Sequence, residues 1–349
     1  MSFTNKNHNA ENLSSFESEN SSLRKIFIVI FILLLVMAVS LPWWGGRSDM
    51  RLVSEFCYYL VLAQLWNLIA GYGGLVSIGQ HAFVGLGGYA FFIFTVYLGV
   101  HPLAAILLSG VFALIFAIPS AYLLFRLYGA YFAVGTWVLA EVYRLGFAQV
   151  TTMGGGSGMS LPINIIKKLG DSKFDREMLL YFISLILALS VIASIYFVLR
   201  SSWGLALTAI RDSETAAESL GVKKRLIKYS VYLFAAFGAG MAGSIIYLNK
   251  LRISPDSAFS VSDWTVNIIF IVVIGGLGTL EGPIIGALIF FLLREILADF
   301  GSIYMIFLGI VAVIVMLKFP KGIWGFISSY FNIEIFPVRR KLLISKKGT

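Results

Sequence analysis

Apolar residues in this chain gather in long unbroken runs rather than in stripes, and the runs recur from residue 26 almost to the C-terminus. They fall at about 26–44, 52–70, 74–98, 103–125, 129–149, 178–199, 229–249, 263–280, 282–297 and 303–319. Each approaches the ~20 residues that a helix needs to cross a hydrocarbon core. The pattern predicts an all-α polytopic membrane protein with about 10 (8–10) transmembrane helices. Residues 1–25 are rich in Asn, Ser and Glu and predict a disordered tail. A membrane domain over 26–319 and a basic tail over 320–349 complete the expected organisation. A cleaved signal peptide is disfavoured, because so long a polar stretch precedes the first run and no small-x-small site follows it.

One polar insert, 200–228, interrupts the oily pattern between spans. Its centre reads Arg211-Asp212-Ser213-Glu214-Thr215-Ala216-Ala217-Glu218-Ser219-Leu220-Gly221. Asp212 and Ser213 can cap a helix start, Glu214 suits the first turn and Gly221 suits the stop. Helical spacing brings Ile210, Ala217 and Leu220 onto roughly one face, a modest apolar stripe fit for a partner's groove. The expectation is a short capped helix outside the lipid, gripped from the aqueous phase.

Composition narrows the classes. The chain is 58% hydrophobic and only 13% charged, against about 25% charged residues in a soluble domain. The net charge of +9 has no folded basic domain to carry it, which argues against nucleic acid and for membrane topology. With ten spans, Arg47, Arg51, Lys167, Lys168, Lys173, Arg176, Lys250 and Arg252 fall on one side and most other members of the 27 basic residues on the other. The positive-inside rule then puts both termini and the insert in the cytoplasm. Cys57 is the one cysteine, so there is no disulfide framework, and His8, His81 and His101 are too scattered for a metal site. There is no Gly-x-x-x-x-Gly-Lys-Ser/Thr loop to hold a nucleotide phosphate. Gly154-Gly155-Gly156-Ser157-Gly158 lacks the lysine and reads as a flexible or ligand-facing turn in an outer loop. No catalytic constellation is present, so an enzyme is not expected.

Two Gly-rich interruptions begin alike. One runs from Gly71 through Gly73, Gly74, Ser77 and Gly79; the other holds Gly275, Gly276, Gly278 and Thr279. Paired breaks in the two halves of a chain point to an inverted internal repeat whose broken helices line a translocation pathway. Close small-xxx-small packing explains the same glycines, and both readings stay open. Ala236, Ala239, Gly240 and Gly243 form a further small-residue face, read as packing. Glu141 and Arg144 form an intramembrane charge pair at i, i+3, either a relay or, preferred here, a structural pair inside the bundle. Arg294 and Glu295, near a span end, are expected to snorkel.

The segment from Glu214 to Gly221, preceded by Ala209-Ile210-Arg211-Asp212, resembles the EAA-type coupling motif of bacterial ATP-binding cassette importers. With 71–80, 129–136, Ile253-Ser254-Pro255-Asp256 and 275–279, it resembles the branched-chain amino acid permease family, LivM-like subunit, over about 52–322. The order Glu214-Thr215-Ala216-Ala217 departs from a strict Glu-Ala-Ala. The resemblance implies an importer permease for Leu, Ile and Val in the bacterial inner membrane, with Arg211, Asp212, Glu214, Ala216, Ala217, Leu220 and Gly221 coupling to the ATPase. It implies as partners a second permease, two cytoplasmic ATPases that bind the ATP and Mg, and a periplasmic substrate-binding protein. The rival readings are a urea or other small-solute permease, an ion-coupled secondary transporter, and a non-transport structural subunit.

Overall fold

A computed structural model of the chain describes residues 29, 32–170, 172–297, 303–331 and 335–336. The expected tail over 1–25 lies outside the described residues, as do residues 337–349.

Among the described residues, most of each apolar run is helix. The series opens with α1 (Ile32–Trp44) and α2 (Arg47–Asn67), which runs on through a π-helical turn, Leu68–Tyr72. Next come α3 (His81–Phe92), extended by a second π turn to Tyr97, α4 (Pro102–Leu124) and α5 (Ala130–Ala148). After the short α6 (Ile163–Lys167) comes α7 (Lys173–Arg200). The polar insert supplies α8 (Ser202–Asp212) and α9 (Glu214–Ser219), and α10 (Lys224–Lys250) re-enters the bundle. A single turn, α11 (Pro255–Ala258), leads into α12 (Asn267–Gly275), then α13 (Gly282–Ile296), α14 (Tyr304–Lys318) and α15 (Gly322–Phe331).

Among the described residues, six of these segments are long and apolar enough to cross a membrane: Arg47–Tyr72, Pro102–Leu124, Lys173–Arg200, Lys224–Lys250, Pro255–Gly275 and Ile306–Phe331. The shortfall from about ten has local causes. Residues 73–80 are not helical, so the helix predicted from 74 starts only at His81. The α13 helix has only 15 residues, and Glu141 and Arg144 dilute α5. The segment expected as a basic tail from 320 instead holds α15, packed on α12 and α13.

The bundle is organised around α2 and α10, the most deeply buried of the spans. The α2 helix packs on α7, α10, α12 and α13, and α10 packs on α3 and α4. The small-residue face of α10 is what allows this. A Cβ on Gly87 of α3 would sit 2.0 Å from the carbonyl oxygen of Gly240, and one on Gly243 would sit 2.1 Å from that of Val84. Backbone approach of this kind is the contact that small residues permit between membrane helices. Arg294 does not snorkel: its guanidinium makes two bonds to the Glu55 carboxylate on α2, at 2.9 and 2.7 Å. After α5, the strand β1 (Met159–Ser160) pairs antiparallel with β2 (Arg252–Ile253), Met159 opposite Ile253, tying the loop to the end of α10.

Candidate coupling and translocation site

The insert folds as two helices where the sequence suggested one. Ser201 caps α8, its hydroxyl accepting from the Trp203 N–H at 3.1 Å. Ser213 is extended and caps α9, its Oγ accepting from the Ala216 N–H at 3.3 Å. Capping by Ser213 separates the helices and leaves Asp212 as the last residue of α8, paired with Arg211 at 2.9 Å. At the other end, the Val222 N–H returns to the Ala217 carbonyl at 3.0 Å around Gly221 at φ +82°, a left-handed helix stop. Glu214 in the first turn and Glu218 in the last hold Lys224 and Lys228 of α10; the Lys224–Glu218 bond is 3.0 Å.

The apolar stripe expected for a partner divides. Ile210 and Ala217 are buried against the body of the protein, whereas Leu220 is 83% exposed. Leu220 lies just past the end of α9, where the chain turns through Gly221, so helical spacing from Ala217 no longer describes one face. What α9 turns outward is Thr215, Ala216, Glu218 and Ser219, with Leu220 exposed just past its end.

The two Gly-rich breaks meet. A Cβ on Gly71 would sit 2.5 Å from the Gly278 nitrogen and 2.3 Å from Asn67 Oδ1. Buried amides of α2 bind the second break. Asn67 Oδ1 accepts from the Gly278 N–H at 2.8 Å, and its Nδ2 donates to the Thr279 carbonyl at 2.7 Å. Gln64 Nε2 donates to the Leu280 carbonyl at 2.7 Å. The first break is tied similarly. Trp66 Nε1 donates to the Ser77 carbonyl at 2.7 Å, the Ile78 N–H to Thr136 Oγ1 at 3.0 Å, and the Gly79 N–H to Ser77 Oγ at 3.2 Å. Gly73, Ser77, Gly79, Gly275 and Gly276 are buried, Gly74 is exposed, and Gly278 and Thr279 are half-buried. Gly278 and Thr279 line a cavity of about 920 Å³ together with Arg211 and Asp212.

Arg211 joins the insert to both breaks. Its Nη1 donates to the Gly71 carbonyl at 3.1 Å, and its side chain passes over Gly74 and Gly278, where added Cβ atoms would meet it at 3.3 and 3.4 Å. Sequence reasoning missed Gln64, Asn67 and Trp66. The available signal was an amide pair at i, i+3 within an otherwise apolar run, which has to find partners inside the protein.

Glu141 and Arg144 pair as expected but not inside the bundle. Their side chains are 45% and 28% exposed, and a third group joins them. Arg144 bonds Glu141 through Nε and Nη2, the latter at 2.6 Å, and its Nη1 donates to Asp256 Oδ1 at 2.6 Å. Glu141 lies in an exposed apolar stripe with Val134, Val138, Val142 and Leu145. A charge near a helix centre costs about 2.5–3.5 kcal/mol against lipid, so this stripe faces water or protein at the triad.

A family model described as "Branched-chain amino acid transport system / permease component" matches residues 50–316. The chain is 28% identical to the high-affinity branched-chain amino acid transport system permease protein LivM of Escherichia coli, over 86% of this chain and 75% of that protein. Its identity to LivM of Salmonella typhimurium is 27% over the same shares. A fructose import permease protein, FruG of Bifidobacterium longum, is also similar, 28% identical over 78% of this chain and 82% of that one. No solved structure matches. A multi-pass helical membrane protein matched over most of its length, this chain belongs to the family of permease components of branched-chain amino acid transport systems.

Proposed function

We propose that the chain is the permease subunit of an ATP-binding cassette importer that carries branched-chain amino acids across a bacterial inner membrane. The observation that carries the reading is the mechanical continuity of the insert. The α9 helix stands at the surface with Leu220 outward at its end, is held to α10 by Lys224 and Lys228, and follows directly on α8, whose Arg211 reaches both Gly-rich breaks. A force applied to α9 from the aqueous side is therefore transmitted to the joint where α2 and α12 are interrupted.

In this reading two cytoplasmic ATPases bind ATP and Mg and grip α9, a homologous second permease completes the pathway, and a separate binding protein delivers the cargo. The excess of basic residues on the insert side supports a cytoplasmic position for both termini. The LivM relatives favour Leu, Ile and Val as cargo; the fructose permease relative makes a neutral sugar the second reading. ATP-dependent uptake into vesicles carrying the complete transporter tests both. Labelled leucine should enter and fructose or urea should not compete, whereas entry of fructose alone would overturn the cargo. Leu220→Glu should abolish ATPase co-purification and uptake while the permease stays folded in the membrane. Undiminished co-purification would remove α9 from the coupling role.

A further inference from the structure

Near the Glu141–Arg144–Asp256 triad is a buried polar atom that none of the described residues satisfies. Tyr89 of α3 is fully buried, and its hydroxyl has no hydrogen-bond partner among the described residues. Its ring stacks on Phe147 of α5, with centroids 4.4 Å apart, and on Phe259 just past α11, at 6.0 Å; Phe147 and Phe259 stack on each other at 5.8 Å. Phe147 follows Arg144 by one helical turn, and Phe259 follows Asp256 by three residues. The three rings thus join the two elements that the Arg144–Asp256 bond bridges. A buried donor without an acceptor is costly and rarely kept without a role.

The position suits a ligand in passage. Glu141 lies about 16 Å along α5 from Ala130, at ~1.5 Å per residue. Ala130 lines a cavity shared with Glu214 and Lys228 at the insert end, whereas Ala148, at the other end of α5, lies against Gly155 of the Gly-rich loop. The triad is therefore away from the insert, between it and that loop, on an exposed face of the chain.

We propose that Glu141, Arg144, Asp256 and Tyr89 form a gated station for a zwitterion, in which the cargo's own two charges replace the Arg144–Asp256 bond. Separating Arg144 from Asp256 frees the Arg144 Nη1 donor, the guanidinium staying on Glu141 through Nε and Nη2, and leaves the Asp256 carboxylate without its cation. An α-amino acid supplies both complements: its carboxylate accepts from the Arg144 guanidinium, and its ammonium donates to Asp256. Parting α5 from α11 also parts Phe147 from Phe259 and uncovers the Tyr89 hydroxyl, which donates to the cargo carboxylate. A neutral sugar or urea carries no charges to exchange, so the gate stays shut to it. This inference rests on the amino-acid reading of the cargo.

The test is ATP-driven leucine uptake by the complete reconstituted transporter at saturating binding protein, with Tyr89→Phe and Arg144→Gln. Loss of a hydroxyl without a partner breaks no bond within the protein, so Tyr89→Phe should leave the thermal unfolding midpoint unchanged or higher. Its maximal uptake rate should nevertheless fall about tenfold, the worth of one hydrogen bond to a charged group. Arg144→Gln should lose more. Tyr89→Phe transporting at the wild-type rate would overturn the station, whatever Arg144→Gln does, since the triad alone can hold shape. Wild-type transporter that moves a neutral solute and no amino acid would instead refute the cargo on which the station rests.

Discussion

The Arg211 guanidinium donates to the Gly71 carbonyl at 3.1 Å, across 140 residues of sequence. It is the point at which a polar helix outside the bundle touches an interruption inside it. Because the same side chain passes over Gly278, one residue spans insert, first break and second break. Replacing it separates the motion of α8 and α9 from the state of the joint.

Arg211→Ala should therefore uncouple rather than unfold. Arg211 is an exposed residue, so the lost hydrogen bond costs stability only about 0.5–1.5 kcal/mol. Uptake per ATP hydrolysed should fall by about tenfold or more if the link carries the stroke. Arg211→Lys should recover little, since an ammonium lacks the planar fork that bonds Gly71 and Asp212 together. Parallel measurement of ATP hydrolysis and leucine uptake in the same vesicles checks this. A variant with wild-type stoichiometry would show that the contact is only structural.

Asn67 offers the opposite case, a residue whose loss should be felt as stability. It is buried, and its amide bonds both the Gly278 N–H and the Thr279 carbonyl, whose backbone leaves helical geometry at the break. Asn67→Leu orphans two backbone groups, each worth about 1–3 kcal/mol when buried and unpaired. Thermal unfolding in detergent should show a clearly lowered midpoint. Gln64→Leu should cost less, because its Oε1 already lacks a partner and only the bond to Leu280 is lost.

These two residues mark where the sequence stopped being legible. The spans were readable because lipid demands long apolar helices, and the insert because charge in such a chain has to leave the membrane. The breaks could be located from their glycines, but not their meeting, since Gly71 and Gly278 are brought together by the packing of α2 on α12. The stripe through Ile210, Ala217 and Leu220 failed for a local reason: Leu220 lies just past the end of α9, where the chain turns through Gly221, so helical spacing no longer holds it on the face of Ala217. Asp256 escaped notice as a partner of Arg144 because that contact joins two distant loops and helices, with no spacing to announce it.

The Glu55–Arg294 pair predicts a large coupling between distant positions. Both side chains are 30% exposed and the contact is bidentate, joining α2 to α13. Breaking either partner leaves the other charge partly desolvated, so Glu55→Gln and Arg294→Gln should each lower the unfolding midpoint. The double variant should cost less than the two single costs added, and a double-mutant cycle reads the difference directly. Full additivity would mean that water, not the partner, solvates each charge.

The joint itself is best tested by contrasting glycines. On Gly71 a methyl group would lie 2.5 Å from the Gly278 nitrogen, which is fixed backbone and cannot move without separating the breaks. Gly146 on α5 has open space where its Cβ would go. Gly146→Ala should then be neutral or stabilising by up to about 1 kcal/mol, as alanine is the better helix former. Gly71→Ala should lower both the unfolding midpoint and the yield of folded protein in the membrane. It should do so even with Arg211 intact, because the clash precedes the hydrogen bond to the same carbonyl. Size-exclusion profiles and unfolding midpoints of the two variants in detergent decide the matter. If Gly71→Ala matched Gly146→Ala, the breaks would be far enough apart to move independently, and the rigid joint between them would be wrong.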